Sequence, residues 1–283
     1  MTIRVDRQAD RQVDPRVDSR AEGATAPNRA VGAASATIHA RGLASLSETG
    51  GFRMKFVRAQ DRTEAVIVNV AGAMAGGDRA RFEFVAKPGA RAVATTATAE
   101  KVHRREGAPT LIDVALSAGA GARLHWLPQE TILFEAAALE RRLDVDVAAD
   151  GEVVALDIAI FGRIARGERA ASASLRDRWR VRREGKLVYA DEFSLPKGRL
   201  LERPAIGGGA RALANVLLVA SDAAARLDAV RSALAAHPAC EAGASAFDGL
   251  LAIRASAASP AELRAAIVAV AAALGAPVPR SWA

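Results

Sequence analysis

The chain has 283 residues, 51% of them hydrophobic but only 4% aromatic, so Ala and Val must fill a core large enough for one big domain or two small ones. Its formal charge is +7 and its isoelectric point is near 10.4, which favours acidic partners. One cysteine, Cys240, excludes an intrachain disulfide, and residues 265–278, the longest apolar stretch, are too short for a bilayer and are interrupted by Gly275 and Pro277.

The first 20 residues are charged and lack the apolar centre of a signal peptide, so a cytoplasmic protein is expected. Residues 1–33 read as a disordered tail. Arg, Asp, Gln and small residues dominate there, and burial cannot offset the entropy of ordering them.

From about residue 34 to 210 the pattern predicts strand after strand. Residues 37–41 and 64–70 are rich in β-branched side chains, and residues 81–85 alternate apolar with polar. Lys87-Pro88-Gly89-Ala90 turns the chain into residues 91–97, and Gly119-Ala120-Gly121 turns it into residues 123–126. Leu143, Val145 and Val147 share one face, with Asp144 and Asp146 on the other. Asp150-Gly151 is the sharpest hairpin signal, and Glu184-Gly185 makes a similar turn. No helical period intervenes, which predicts a sandwich, barrel or stacked-sheet body.

After Pro204 and Gly207-Gly208-Gly209 the pattern changes. Residues 212–220 read as a strand and residues 222–236 as a helix capped by Ser221 or Asp222. Two strands around Phe247-Asp248-Gly249 follow, then a second helix opened by Ser259-Pro260. This β-α-β-β-α run, about 211–283, packs on the β portion or forms a small α+β lobe.

Gly72 and Gly77 have phosphate-loop spacing, but Asp78 and Arg79 stand where Lys and Ser/Thr are needed. A bend in the sheet explains these glycines better. The four histidines, His39, His103, His125 and His237, show no metal-ligand spacing. Asp78, Glu100, Glu130 and Glu168 lie beside apolar, strand-forming residues. Each sits at a solvated rim or in a hydrated cavity, where oxygen ligands would hold a first-row divalent cation loosely.

Residues 163–183 hold eight Arg against Glu168 and Asp177, a net +6. Arg176, Arg178, Arg180 and Arg182 share one strand face, with Trp179 and Val181 on the other. They form either a charged edge that resists aggregation or a docking stripe for an acidic partner, extended by Arg163 and Arg166. A nucleic-acid site would want an aromatic on the basic face.

Five blocks, in order, resemble the urease accessory protein D family (called H in some organisms). They are Gly72 to Asp78; Thr95 to Arg104, with Glu100-Lys101; Leu127-Pro128-Gln129-Glu130 to Phe134; Gly162 to Glu168; and Pro279-Arg280-Ser281-Trp282. Ala73 and His103 stand where the family commonly has Gly and Tyr. The resemblance covers about residues 36–283. It implies a mainly β fold, a stacked or superhelical β-sheet body with two C-terminal helices.

The resemblance also implies a non-enzymatic scaffold in urease maturation that binds the urease structural subunits and the F accessory protein. The F protein recruits the GTP-hydrolysing G accessory protein. A water-filled passage is implied as the nickel route, with Asp78, Glu100, Glu130 and Glu168 as its carboxylates. No tightly bound cofactor is expected, only transient Ni(II), and neither nucleic acid nor membrane as partner. The competing expectations are a hydrolase using Glu130 or Glu168 with His103, and a basic nucleic-acid-binding module.

Overall fold

Parity decides which side of many of these strands is buried, and residues 79–86 show it. There, Ala80, Phe82, Phe84 and Ala86 are buried while Arg79 and Arg81 are exposed. A period of two puts the apolar residues on one face, so that face must meet a second layer. The structure, a computed structural model, describes residues 29–59 and 61–282. The expected tail therefore falls mostly outside the described residues, and residues 31–33 belong to the first strand.

The chain starts with two hairpins. β1 (Val31–His39) pairs with β2 (Gly42–Thr49), and β3 (Phe52–Arg58) pairs with β4 (Thr63–Asn69). It then winds between two sheets. β5 (Arg79–Ala86) lies in the first sheet, and β6 (Arg91–Thr96) and the short β7 (Glu100–Val102) lie in the second. β8 (Thr110–Ala118) returns to the first, and β9 (Arg123–Trp126) and β10 (Thr131–Leu133) to the second. β11 (Ala138–Val147) and β12 (Glu152–Phe161) complete a third coil. Each coil stacks on the last, so β5, β8 and β11 pair in parallel, as do β6, β9 and β12.

The first sheet ends in β13 (Ser174–Arg183) and its hairpin partner β14 (Lys186–Leu195). β15 (Ala212–Val219) extends the second sheet antiparallel to β12. The helix α1 (Leu227–Ala235) follows, then the hairpin of β16 (Cys240–Phe247) and β17 (Leu250–Ala257), which completes that sheet. Last comes α2 (Pro260–Ala273). The expected β-α-β-β-α run is present, and its strands continue the second sheet.

Asp150-Gly151 does not form a hairpin. It carries the chain from β11 in one sheet to β12 in the other, as Lys87 to Ala90 and Gly119 to Gly121 do in the earlier coils. The three corners bond to one another. Gly89 N–H donates to the Ala120 carbonyl at 2.9 Å, and Gly121 N–H donates to Asp150 Oδ1 at 3.0 Å. Gly89 and Gly121 have φ of 69° and 60°, the left-handed region that favours glycine. A turn dipeptide specifies that the chain turns, but not which strand it turns toward.

The core lies between the sheets. Trp126 of the second sheet packs on Phe82 and Phe84 of the first, with ring centroids 6.1 and 5.9 Å apart. Each such side chain stabilises the fold by about 1.5–3 kcal/mol through burial. β12 is buried at all ten positions. Val153, Ala155 and Phe161 face the first sheet, while Val154, Leu156 and Ile158 join a second core with Leu263, Ile267 and Val270 of α2. A strand covered on both faces reads as a continuous apolar run. Ser259 caps α2, accepting the Glu262 N–H at 3.4 Å, with Pro260 at the first helical position. Asp222 makes no cap. Its carboxylate takes Arg226 instead, and α1 starts after a 3₁₀ turn, Ala223–Arg226.

Candidate functional site

The five blocks assemble at one place. Met74 bridges Val102 of β7, β7 pairs in parallel with β10, and β10 pairs with the end of β12. Gly162 N–H then donates to the Leu133 carbonyl at 2.8 Å. The last block closes over the second. Trp282 Nε1 donates to the Leu127 carbonyl at 3.2 Å, Gln129 Nε2 donates to the Ser281 carbonyl, and Ser281 Oγ is 3.3 Å from Thr95 Oγ1. Short strands of three residues cannot hold a sheet alone, so these blocks depend on one another.

The four candidate carboxylates do not converge. Asp78 accepts the backbone N–H groups of Ala30 and Ala75, at 2.9 and 2.8 Å, and so closes the Gly72-to-Gly77 loop. Glu130 pairs with Arg264 of α2 at 2.5 Å. Glu168 accepts Arg163 Nε at 2.7 Å and the Glu135 N–H at 2.9 Å. Only Glu100 borders the space between the sheets, in a cavity of about 30 Å³ that also touches Thr131, Trp126, Arg141 and Asp157. That is room for a water. Burial raises the Glu100 carboxyl above its ordinary value, against the hydrogen bond from Asn69 Nδ2 at 2.9 Å. Among the described residues, no three His, Cys, Asp or Glu side chains gather as a metal cage.

His103 stacks edge-on against Phe134, with centroids 4.7 Å apart, and makes no side-chain hydrogen bond to Glu130 or Glu168 among the described residues. An acid/base pair requires that contact. Arg163 lies over the other partner of that stack, its guanidinium 4.7 Å from the Phe134 ring. Arg166 ends the 3₁₀ turn Ile164–Arg166 with its side chain exposed.

Arg176, Arg178, Arg180 and Arg182 project from the outer face of β13, between acidic neighbours. Arg176 is 2.8 Å from Glu192 of β14, Arg178 is 4.0 Å from Glu140 and Arg182 is 3.9 Å from Asp144, both of β11. The face alternates in sign, which disfavours a run of phosphates.

Three charged residues were not anticipated. Arg141 of β11, Asp157 of β12 and Asp177 of β13 point inward and are only 4–5% exposed. Arg141 Nη1 is 3.0 Å from Asp157 Oδ1, and Nη2 donates to Asp177 Oδ2 at 2.6 Å. Trp179 Nε1 donates to Asp177 Oδ1 at 3.0 Å. The signal was phase. Each occupies an apolar register, Asp157 alone between Leu156 and Ile158 and Asp177 in step with Leu175 and Trp179. Burial pushes the Asp157 carboxyl up to about 7, against the pull of Arg141.

Among the described residues, no helix is long and apolar enough to cross a membrane. The family model for the UreD urease accessory protein matches residues 31–283. The urease accessory protein UreD of Xanthobacter autotrophicus is 46% identical over 244 residues, covering 85% of this chain and 84% of that protein. The protein of the same name in Azorhizobium caulinodans is 46% identical and covers 85% and 90%. That of Rhodopseudomonas palustris is 42% identical and covers 91% and 92%. With the family model spanning residues 31–283 and these relatives 42–46% identical over 85–91% of the chain, the chain belongs to the UreD urease accessory protein family.

Proposed function

We propose that the chain is a non-enzymatic maturation scaffold, working in the cytoplasm, that binds urease apoprotein and assists Ni(II) delivery to its active site. The observation that carries this reading is the assembly of the five family blocks around one end of the two-sheet stack, with a carboxylate-lined cavity behind them. Their side chains are spent on holding a shape rather than on a nucleophile and base.

In this reading the F accessory protein, and through it the G protein, join the chain and urease in one complex. Arg176, Arg178, Arg180 and Arg182, together with Arg163 and Arg166, dock an acidic partner. The alternating charges of the β13 face select a partner of complementary pattern and set register and association rate. Nickel passes as cargo. Glu100 is the carboxylate that meets it directly, while Asp78, Glu130 and Glu168 hold the blocks around it in place through their hydrogen bonds and ion pairs. No resident cofactor is involved.

The test is assembly. Tagged chain expressed with urease subunits and the F and G proteins is purified and resolved by size. Co-elution of urease with the chain supports the scaffold. A chain that elutes alone under all conditions contradicts it.

A further inference from the structure

Three turns meet beside the first corner, and each brings one arginine. Arg41 lies in the turn between β1 and β2, Arg62 stands just before β4, and Arg91 opens β6 after the Lys87-to-Ala90 corner. All three line one cavity of about 220 Å³. The turn at Arg41 belongs to the first sheet, and β4 and β6 belong to the second, so the cavity reaches across both. Buried Thr63 and Asp61 also line it, and the rest of its wall is Ala and Gly.

Three arginines against one aspartate leave a net +2 in this cavity. Arg62 Nη1 holds Asp61 at 3.0 Å, and Arg62 Nε is buried without a hydrogen-bond partner. Among the described residues, neither Arg41 nor Arg91 pairs with a carboxylate, whereas Arg176, Arg226 and Arg254 each do. Like charges gathered in a concave place repel one another, and its walls strengthen the field they make.

We propose that this cavity binds inorganic phosphate or pyrophosphate. One guanidinium fork satisfies the two oxygens of a carboxylate. Three guanidiniums from three turns suit a tetrahedral anion with more acceptors. A phosphate dianion cancels the net +2. None of the lining residues is aromatic or large and apolar, so the wall offers no face for a nucleoside base or an acyl chain. The volume leaves room for a second phosphoryl group or for waters that complete the hydrogen bonds of the first.

The bound anion ties the β1–β2 turn to β4 and β6. It thereby joins the two sheets at the end of the stack where β2 and β3 are the edge strands. Arg91 and Thr96 are the two ends of β6, so the site stands apart from the assembled blocks and does not depend on nickel passage.

The test is thermal unfolding of the purified full-length chain in sodium phosphate, in pyrophosphate, and in sodium chloride of equal ionic strength. At about 10 mM, either phosphate should raise the melting temperature by about 3 °C over chloride. The rise should disappear in Arg41→Gln with Arg91→Gln, which changes two exposed side chains and keeps them polar. It should persist in Arg199→Gln with Arg203→Gln, which removes the same charge from exposed positions outside the cavity. Calorimetric titration should show pyrophosphate bound at least tenfold more weakly by the first double variant than by the unchanged chain. Pyrophosphate bound tenfold tighter than phosphate supports a site filled by two phosphoryl groups, and equal affinity supports a site for one. No rise over chloride, or a rise that both double variants lose equally, overturns the proposal. If the first double variant does not fold, Arg41→Gln alone decides. At least threefold weaker pyrophosphate binding is expected, and unchanged affinity overturns the site.

Discussion

Glu130 and Arg264 meet at 2.5 Å although 134 residues separate them in the chain. Arg264 also donates to the Trp282 carbonyl at 2.9 Å and lies over the Trp282 ring at 4.8 Å. One guanidinium therefore ties the second block, α2 and the C-terminal block together. Glu130→Gln removes the charge from a pair of which Glu130 is nearly buried. It should cost about 1–2 kcal/mol in denaturant unfolding. Activation should fall only with the folded fraction. Lost activation at full stability would contradict a purely structural role for Glu130.

Trp282 is the apolar half of the same clasp, 7% exposed with its indole N–H on Leu127. Trp282→Ala empties that pocket and orphans the carbonyl. A loss of about 3 kcal/mol is expected, with exchange of backbone amides near residues 95–104 and 127–134 accelerated first. Uniform acceleration through both sheets would contradict the local clasp.

Glu152 binds His125 Nε2 at 3.1 Å and Arg226 Nη2 at 2.7 Å. Burial alone would raise its carboxyl, yet these two partners hold it down to about 2. The unfolded chain takes the proton near 4.5. Its stabilisation is therefore present above that value and lost as pH falls toward 2. Glu152→Gln should lower stability at neutral pH and flatten the acid limb of the stability curve below about pH 4.5. An unchanged acid limb would contradict the pairing.

Asp157 works the other way. Its carboxyl is about 7 in the fold against 3.8 when unfolded, with Arg141 and Asp177 facing it, Glu100 in the small cavity between the sheets, and Glu241 and Arg254 in a second cavity that Arg141 and Asp157 also line. Between those values the folded chain holds a proton that the unfolded chain has released, so stability falls as pH rises through the window and levels above it. Asp157→Asn should abolish that fall. The check is urea unfolding at intervals from pH 4 to 8.

Reversing Arg178 and Arg180 to Glu places like charges beside Glu140 and Glu192. The complex with the acidic partner should form more slowly and lose salt sensitivity, with the isolated chain destabilised by less than about 1 kcal/mol. Unchanged association kinetics would leave this face as a solvated edge.

Much of this was written in local patterns. The alternation in residues 81–85 and 143–147 showed which faces are buried, and Ser259-Pro260 marked the start of α2. Asp150-Gly151 misled because the corners of stacked coils and of hairpins use the same turn residues, and only distant pairing tells them apart. The carboxylates were visible as residues but not as partnerships. Arg264 reaches Glu130 from the far end of the chain, and no local spacing encodes that. Arg141, Asp157 and Asp177 were legible only by reading strand phase first and then asking which charged residues break it.

The central measurement is urease activity and bound nickel in cells expressing urease subunits with the other accessory proteins, with and without this chain, at limiting and abundant nickel. The maturation role predicts that omission abolishes both activity and bound nickel at limiting nickel. Full activity and full nickel content without the chain, at both nickel levels, would contradict it.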